Sequence, residues 1–87
     1  MSNTERLNVG DLVIHFKHEL DDVVNQIKYI YLIKEIAVHS ETGEKLVIYQ
    51  NVVSGIIYAR PYDMFMSVVD SEKYPQIKSL YRFTNWS

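Results

Sequence analysis

From Leu12 to Lys17, large apolar residues stand at every second position and alternate with Val13, His15 and Lys17, and this pattern predicts a first β-strand. Leu12, Ile14 and Phe16 would share one face of the strand, because successive side chains of a strand point to opposite sides. Residues 18–27 show no such alternation. The sequence there leaves open a helical turn or an irregular excursion.

A β-hairpin is the clearest element, with strands over Lys28–His39 and Lys45–Val52 that are rich in Tyr, Ile and Val. Gly43 suits the left-handed position of a short hairpin loop, since glycine adopts a positive φ without steric cost. The predicted register pairs His39 with Lys45, Val38 with Leu46, Ala37 with Val47, and Ile36 with Ile48.

This register divides the hairpin into two faces. The face with an aliphatic middle is predicted to be core and carries Lys34, Ile36, Val38, Leu46, Ile48 and Gln50. The opposite face is mixed and carries Glu35, Ala37, His39, Lys45, Val47 and Tyr49. A mixed face of this kind meets a ligand, a partner subunit or a covering loop. The alternative is that Val47 and Tyr49 pack beneath a neighbouring strand.

The second half of the chain predicts shorter elements. A fourth strand runs over residues 56–60 and ends at Pro61, which has no N–H to give to a sheet. Residues 62–65 predict a helical turn, residues 67–69 and 80–83 short strands, and Asp70 the cap of a turn over residues 71–74. The predicted fold is mostly β: a small, strongly bent antiparallel sheet or an SH3-like barrel with one or two short helical turns.

Composition narrows the class of protein. The chain has 87 residues, 47% of them hydrophobic, and a net charge of −2, which indicates one domain over residues 1–87 with a flexible polar leader at 1–8. No basic stripe favours nucleic-acid binding. The chain has no cysteine, no signal-like leader and no apolar run of membrane-spanning length. We therefore expect a cytoplasmic protein without membrane contact.

Three stretches of the chain form a recognisable set. They are His15-Phe16-Lys17, the segment HSETGEKLVIYQ over residues 39–50, and the segment YARPYDMFM over residues 58–66. Together with the tail at residues 72–75 and 81–83, they resemble the domain-of-unknown-function 1653 family, which consists of small bacterial and phage-associated proteins. The resemblance extends from about Val9 to Phe83 and implies no established activity.

The chain departs from the family pattern in two places. Typical members join the first two strands by a short turn, whereas residues 18–27 are longer here, as in some other members. The family also usually has a tyrosine-glycine-acidic turn after the position of Gln50. Here that turn reads NVVSG over residues 51–55, without the aromatic residue.

The three histidines of the sequence do not predict a metal-binding site. His15 and His18 would lie on opposite faces of a continued strand. A site formed by His15, His39 and Glu41 has suitable residue types, but the spacing does not require it. We predict no metal and no cofactor, and we expect the His39 ring to bond the backbone of the hairpin turn.

Polar residues near the family motifs are the binding candidates. Arg60 is able to clamp a carboxylate or phosphate; the alternative is an ion pair with Glu41, Glu44 or Asp63. Glu41 and Thr42 suit either turn chemistry or a recognition loop. The full set of candidate ligand-binding residues is His15, Lys17, His39, Glu41, Thr42, Tyr49, Tyr58 and Arg60.

The leading hypothesis is a non-catalytic module that binds a small polar or anionic ligand, for example a nucleotide-like one. No glycine-rich phosphate loop or nucleophile–base pair appears, so we predict no enzyme. The alternative is a homo-oligomer or protein-interaction module that uses the mixed hairpin face. A third hypothesis is binding of single-stranded nucleic acid by stacking on Tyr49, Tyr58 and Tyr62, which the acidic charge balance makes unfavourable.

Overall fold

One antiparallel sheet of five strands forms the protein in a computed structural model that describes residues 6–86. The strands are β1 (Leu12–His15), β2 (Ile30–Val38), β3 (Lys45–Asn51), β4 (Ile57–Pro61) and β5 (Phe83–Asn85). The helical elements are two 3₁₀ helices, over Phe16–Leu20 and Val23–Tyr29, and the single-turn helix α1 over Tyr62–Phe65. None of the helices within residues 6–86 has the length and apolarity needed to cross a bilayer.

The sheet curls but does not close. Its strand order is β4-β3-β2-β1-β5, so β4 and β5 are the two edges. Phe83 on β5 nevertheless lies 5.5 Å from the Tyr49 ring, and the Arg60 guanidinium on β4 lies 5.9 Å from the Phe83 ring. Side chains from both edges therefore meet across the concave face. The mostly β prediction is confirmed in its bent-sheet form.

The predicted register of the hairpin is wrong by one residue. The observed pairs are Val38 with Lys45, Ala37 with Leu46, Ile36 with Val47 and Glu35 with Ile48. The loop closes between His39 and Glu44, where the His39 amide donates to the Glu44 carbonyl at 2.8 Å. Gly43 has φ +78°, as predicted. The turn therefore includes one residue fewer than the register assumed.

A β-bulge separates two registers within the hairpin. The pairing shifts between Ile33 and Glu35, because a bulge sets two residues of one strand against one of the other. Ile33 and Ile36 consequently both point to the concave side, although they are three residues apart. Strict alternation along β2 cannot predict this arrangement.

The faces of β3 are exchanged relative to the sequence prediction. Val47 and Tyr49 are only 0% and 4% exposed and belong to the core, whereas Leu46 and Ile48 are partly exposed. A slip of one residue moves a whole strand face from core to solvent. The face described as mixed is thus buried on β3, and the alternative in which Val47 and Tyr49 pack inside the protein is confirmed.

Aromatic side chains dominate the core on the concave face. The buried cluster consists of Leu7, Val13, Ile33, Val47, Tyr49, Phe65 and Phe83. Phe65 from α1 stacks on Phe83 with ring centroids 4.1 Å apart and planes 9° apart. Because Phe65 and Phe83 lie eighteen residues apart in the sequence, this stack joins two distant parts of the chain.

Residues 18–27 belong to two 3₁₀ helices, over Phe16–Leu20 and Val23–Tyr29, with an extended break at Asp21 and Asp22. The Asp21 carboxylate accepts hydrogen bonds from Asn25 Nδ2 at 3.0 Å and Tyr29 Oη at 2.8 Å, and it pairs with Lys28 Nζ at 3.3 Å. These hydrogen bonds hold the pKa of Asp21 well below its usual range. Contacts between Asp21 and the second 3₁₀ helix therefore stabilise this segment.

The start of the described chain is part of the core. Leu7 is 3% exposed, and Arg6 Nη1 donates to the Phe83 carbonyl at 2.6 Å. The Arg6 guanidinium also lies 3.8 Å from the centre of the Tyr81 ring. Arg6 and Leu7, which fall in the predicted flexible leader, thus pack against the rest of the domain, and the flexibility of the leader stays a prediction. The rest of that prediction, at residues 1–5, lies outside the described residues.

The C-terminal segment contains fewer strands than predicted. A single bridge between Val68 and Tyr81 replaces the strands expected at residues 67–69 and 80–83, and β5 begins at Phe83. The predicted capping by Asp70 is confirmed, since its Oδ1 accepts from the amides of Glu72 and Lys73. This capped turn holds the segment against the end of β1.

Replacement of Tyr49 by arginine tests the corrected faces of the hairpin. Because Tyr49 is buried among aromatic rings, Tyr49→Arg is expected to lower the free energy of unfolding by at least about 3 kcal/mol. Val38→Arg is the matched control, since Val38 is 66% exposed, and it should leave stability nearly unchanged. Urea unfolding followed by circular dichroism measures both. A Tyr49→Arg protein as stable as the control would contradict the placement of this face.

Candidate functional site

A cleft of about 330 Å³ lies at the end of the sheet where β1 meets the turn capped by Asp70. Its lining residues are His15, Phe16, Lys17, Arg60, Asp70, Lys73, Tyr74 and Arg82. Four of these side chains are cationic and one is a carboxylate, in a chain whose net charge is −2. We call it the basic cleft.

Arg60 enters the basic cleft from the edge strand β4. Its Nε donates to Tyr49 Oη at 3.1 Å, and its guanidinium packs over Phe83. The alternative ion pairs predicted for Arg60 are not formed, since the one ion pair within residues 6–86 joins Lys28 to Asp21. The guanidinium is thus oriented by neutral groups and forms no ion pair with a carboxylate of residues 6–86.

His15 forms part of the wall of the basic cleft, at the point where β1 ends. Its Nδ1 accepts a hydrogen bond from the Lys17 amide at 3.1 Å, and its ring packs edge-on to Phe83 with centroids 4.9 Å apart. Burial, with the positive charges of Arg60 and Arg82 next, lowers the pKa of His15 to about 4. The ring is neutral at pH 7, and its proton lies on Nε2 because Nδ1 is an acceptor.

Arg82 and Lys73 come from the C-terminal segment. Arg82 Nε donates to Ser67 Oγ at 3.1 Å, and its backbone is fixed by a bond from its amide to the Ser67 carbonyl at 2.8 Å. Lys73 lies on the capped turn with its ammonium 5.5 Å from the Tyr74 ring centre. Lys17 lies in the first 3₁₀ helix. Four separate segments therefore supply the positive charge.

Arg60 and Arg82 form no ion pair within residues 6–86, but one carboxylate, that of Asp70, does line the basic cleft. The Asp70 carboxylate accepts two hydrogen bonds within residues 6–86, both at Oδ1. The donors are the backbone amides of Glu72 and Lys73, at 3.0 and 3.3 Å. Oδ2 of Asp70 accepts none from residues 6–86. One carboxylate oxygen is consequently left for water or for a ligand.

The structure separates the candidate residues of the sequence into three groups. His15, Lys17 and Arg60 meet in the basic cleft. His39, Glu41 and Thr42 lie in the exposed hairpin loop, where they make turn contacts. His39 Nδ1 accepts from the Glu41 and Thr42 amides at 3.1 and 3.3 Å, as predicted for the His39 ring.

The candidate tyrosines belong to the core side of the sheet. Tyr49 is buried, and Tyr58 stacks on it with centroids 5.5 Å apart. Tyr62 lies beneath the Lys45 ammonium at 4.3 Å. Of the three tyrosines proposed for stacking, Tyr49 is thus buried while Tyr58 is 40% exposed, and binding of single-stranded nucleic acid stays a prediction. The mixed face proposed for oligomer contacts is likewise internal at Tyr49, and assembly of several copies stays a prediction.

Lys73 and Arg82 were missed by sequence reasoning. Both lie in the segment whose resemblance to the family was noted, but neither stands in a pattern that indicates binding. Their approach to Arg60 depends on the curl of the sheet and on the path of the chain after α1. The one available signal was the YRF stretch at residues 81–83, which places a cation beside a core aromatic residue.

Other parts of the described chain offer less. A second depression of about 350 Å³ is lined by Glu44, Lys45, Tyr62 and Asp63, where two carboxylates offset one cation. Among residues 6–86, no group of three or more His, Cys, Asp or Glu is placed to hold a metal ion. The basic cleft is thus the candidate site with the strongest charge imbalance.

Comparison of the sequence with models of known protein families identifies one matching family. The model of the family described as "Protein of unknown function (DUF1653)" matches residues 12–85. The chain belongs to the DUF1653 family. No curated protein and no solved structure matches the chain. The matched range contains every lining residue of the basic cleft, so the cleft lies within the family domain.

The low pKa of His15 predicts a decline in stability between pH 7 and pH 5. The unfolded chain binds a proton at His15 below its ordinary pKa of 6.5, whereas the folded chain does so only near pH 4. Acid therefore favours the unfolded state in this range. After allowance for solvent screening, we expect a loss of about 1 kcal/mol in the free energy of unfolding.

Urea unfolding of the wild type and His15→Gln at pH 7 and pH 5 measures this loss. Glutamine does not titrate, so the variant should lose less stability than the wild type. Glu19 and Asp21 have pKa values below their ordinary 4.5 and 3.8, so their contribution is lost only at more acid pH. An equal decline in both proteins would contradict the placement of His15.

Proposed function

We propose that this DUF1653 domain is a cytoplasmic, non-catalytic module that binds a small anionic ligand in the basic cleft. The main support for the proposal is that four cationic side chains line one cleft: Lys17, Arg60, Lys73 and Arg82. None of the four forms an ion pair with a carboxylate of residues 6–86. Positive charges gathered in one cleft raise the electrostatic potential there and attract an anion, whose binding reduces their mutual repulsion. The proposed location follows from the absence of cysteine in the chain.

The geometry of the arginines supports binding rather than a purely structural role. Arg60 and Arg82 each use Nε for a neutral partner, Tyr49 Oη and Ser67 Oγ respectively. This leaves the terminal nitrogens of both guanidinium groups to donate to a ligand, and such charge-assisted hydrogen bonds are the stronger kind. Each side chain is therefore oriented before the ligand arrives, which lowers the entropy lost on binding.

Two features support the proposal that the domain does not catalyse a reaction. His15 is the histidine of the cleft, and its Nδ1 is engaged by the Lys17 amide. Its low pKa makes it a weak base at neutral pH. The cleft also has no serine, threonine or cysteine among its lining residues to act as a nucleophile.

Isothermal titration calorimetry with inorganic phosphate tests the proposed function. Arg60→Gln is expected to weaken binding about tenfold, since it removes a hydrogen-bond donor that carries charge. Lys73→Gln should weaken it roughly two- to fivefold, because this exposed side chain contributes as a screened charge. The exposed position of Lys73 means that this second variant should fold normally.

Lys45→Gln is the matched control for both variants. It makes the same change of net charge, but Lys45 lies over the Tyr62 ring and outside the basic cleft. Its affinity for phosphate should equal that of the wild type. Equal weakening by all three substitutions would mean that phosphate responds only to net charge, and the proposed site would be wrong.

A further inference from the structure

We propose that the basic cleft selects a phosphate monoester of a small hydroxylated molecule, with Asp70 reading a hydroxyl group of the organic part. The inference rests on the proposed anion-binding function and goes beyond it, because it names the chemical class of the ligand.

The cationic groups of the cleft come from four different segments of the chain. Lys17 belongs to the first 3₁₀ helix, Arg60 to β4, Lys73 to the capped turn and Arg82 to the segment before β5. A planar carboxylate is served best by one guanidinium in a bidentate pair. The terminal oxygens of a phosphate monoester point in three directions and accept from donors on several sides. Donors carried by four separate segments therefore suit phosphate better than carboxylate.

The charge of the cleft also favours a dianion. Four cations and one carboxylate line it, which leaves three positive charges, and a phosphate monoester approaches a charge of −2 above its second pKa of about 6. His15 contributes a neutral Nε2–H donor to the same wall, as its Nδ1 is fixed by the Lys17 amide. A neutral donor adds a hydrogen bond to the dianion without requiring proton uptake.

Asp70 is unfavourable for a bare phosphate, since like charges repel. Asp70 caps the turn through Oδ1, and its other carboxylate oxygen gains a role in the cleft if the ligand brings a hydrogen-bond donor together with its anion. Oδ1 of Asp70 is committed to the turn amides of Glu72 and Lys73, and Oδ2 accepts nothing from residues 6–86. A hydroxyl is a suitable donor to Oδ2. The cleft volume of about 330 Å³ leaves room for a small organic group beside the anion.

Three probes test the inference by calorimetry at pH 8, where phosphate monoesters are dianions. They are methyl phosphate, glycerol 3-phosphate and glycerate. Glycerol 3-phosphate is expected to bind about tenfold more tightly than methyl phosphate, because its hydroxyl groups donate to a charged acceptor. It should also bind more tightly than glycerate, which offers hydroxyl groups and a carboxylate but no phosphate.

Asp70→Asn separates the role of the carboxylate from that of the turn. Asparagine caps a turn as aspartate does, so the fold should persist, and circular dichroism verifies this. The variant should bind methyl phosphate more tightly than the wild type does, because a negative charge has been removed. Its preference for glycerol 3-phosphate over methyl phosphate should fall to about twofold or less. Asp70→Ser, which also retains a capping group, should show the same loss of preference.

Glu72→Gln is the matched control, since Glu72 is an exposed neighbour of Asp70 that does not line the basic cleft. It should retain the wild-type preference. Equal binding of the two phosphate esters by the wild type, an unchanged preference in Asp70→Asn, or glycerate binding as tight as glycerol 3-phosphate would overturn this inference but not the proposed function. Failure of all three probes and of inorganic phosphate to bind would overturn both.

Discussion

The packing of Phe83 holds together the parts of the protein that are farthest apart in sequence and in the sheet. Its ring stacks on Phe65 at 4.1 Å and meets Tyr49 and His15 edge-on at 5.5 and 4.9 Å. The Arg60 guanidinium covers it from the opposite edge of the sheet. A flat sheet would keep β4 and β5 four strand positions apart, so the curl and this aromatic contact require each other.

The basic cleft is a consequence of that curl. His15 pairs with Phe83 across β1 and β5, and Arg82 immediately precedes Phe83. Burial of Phe83 therefore fixes the backbone on both sides of the cleft, while the Asp70 turn closes it with Lys73. In this small domain the core and the site share residues, which is how a chain of 87 residues accommodates both. The cost is that four positive charges are held close together in the cleft.

Much of the fold was predictable from the sequence, and the failures have local physical causes. The turn residues Gly43 and Asp70 behave as their chemistry predicts. The predicted register of the hairpin was wrong because the loop contains one residue fewer than assumed. A β-bulge between Ile33 and Glu35 also interrupts the alternation of buried and exposed side chains along β2. The site was found only in part: His15, Lys17 and Arg60 converge as a binding hypothesis requires, whereas Arg82 joins them through long-range packing that no spacing along the chain reveals.

Amide chemical shifts of the ¹⁵N-labelled protein during titration with inorganic phosphate locate binding along the whole chain. They therefore test the proposal that the curled sheet gathers separate cations into one anion site. Binding in the basic cleft should concentrate the shifts at residues 15–17, 60, 70–74 and 82. Shifts confined to the hairpin loop at residues 39–45, or no saturable shifts at all, would contradict it.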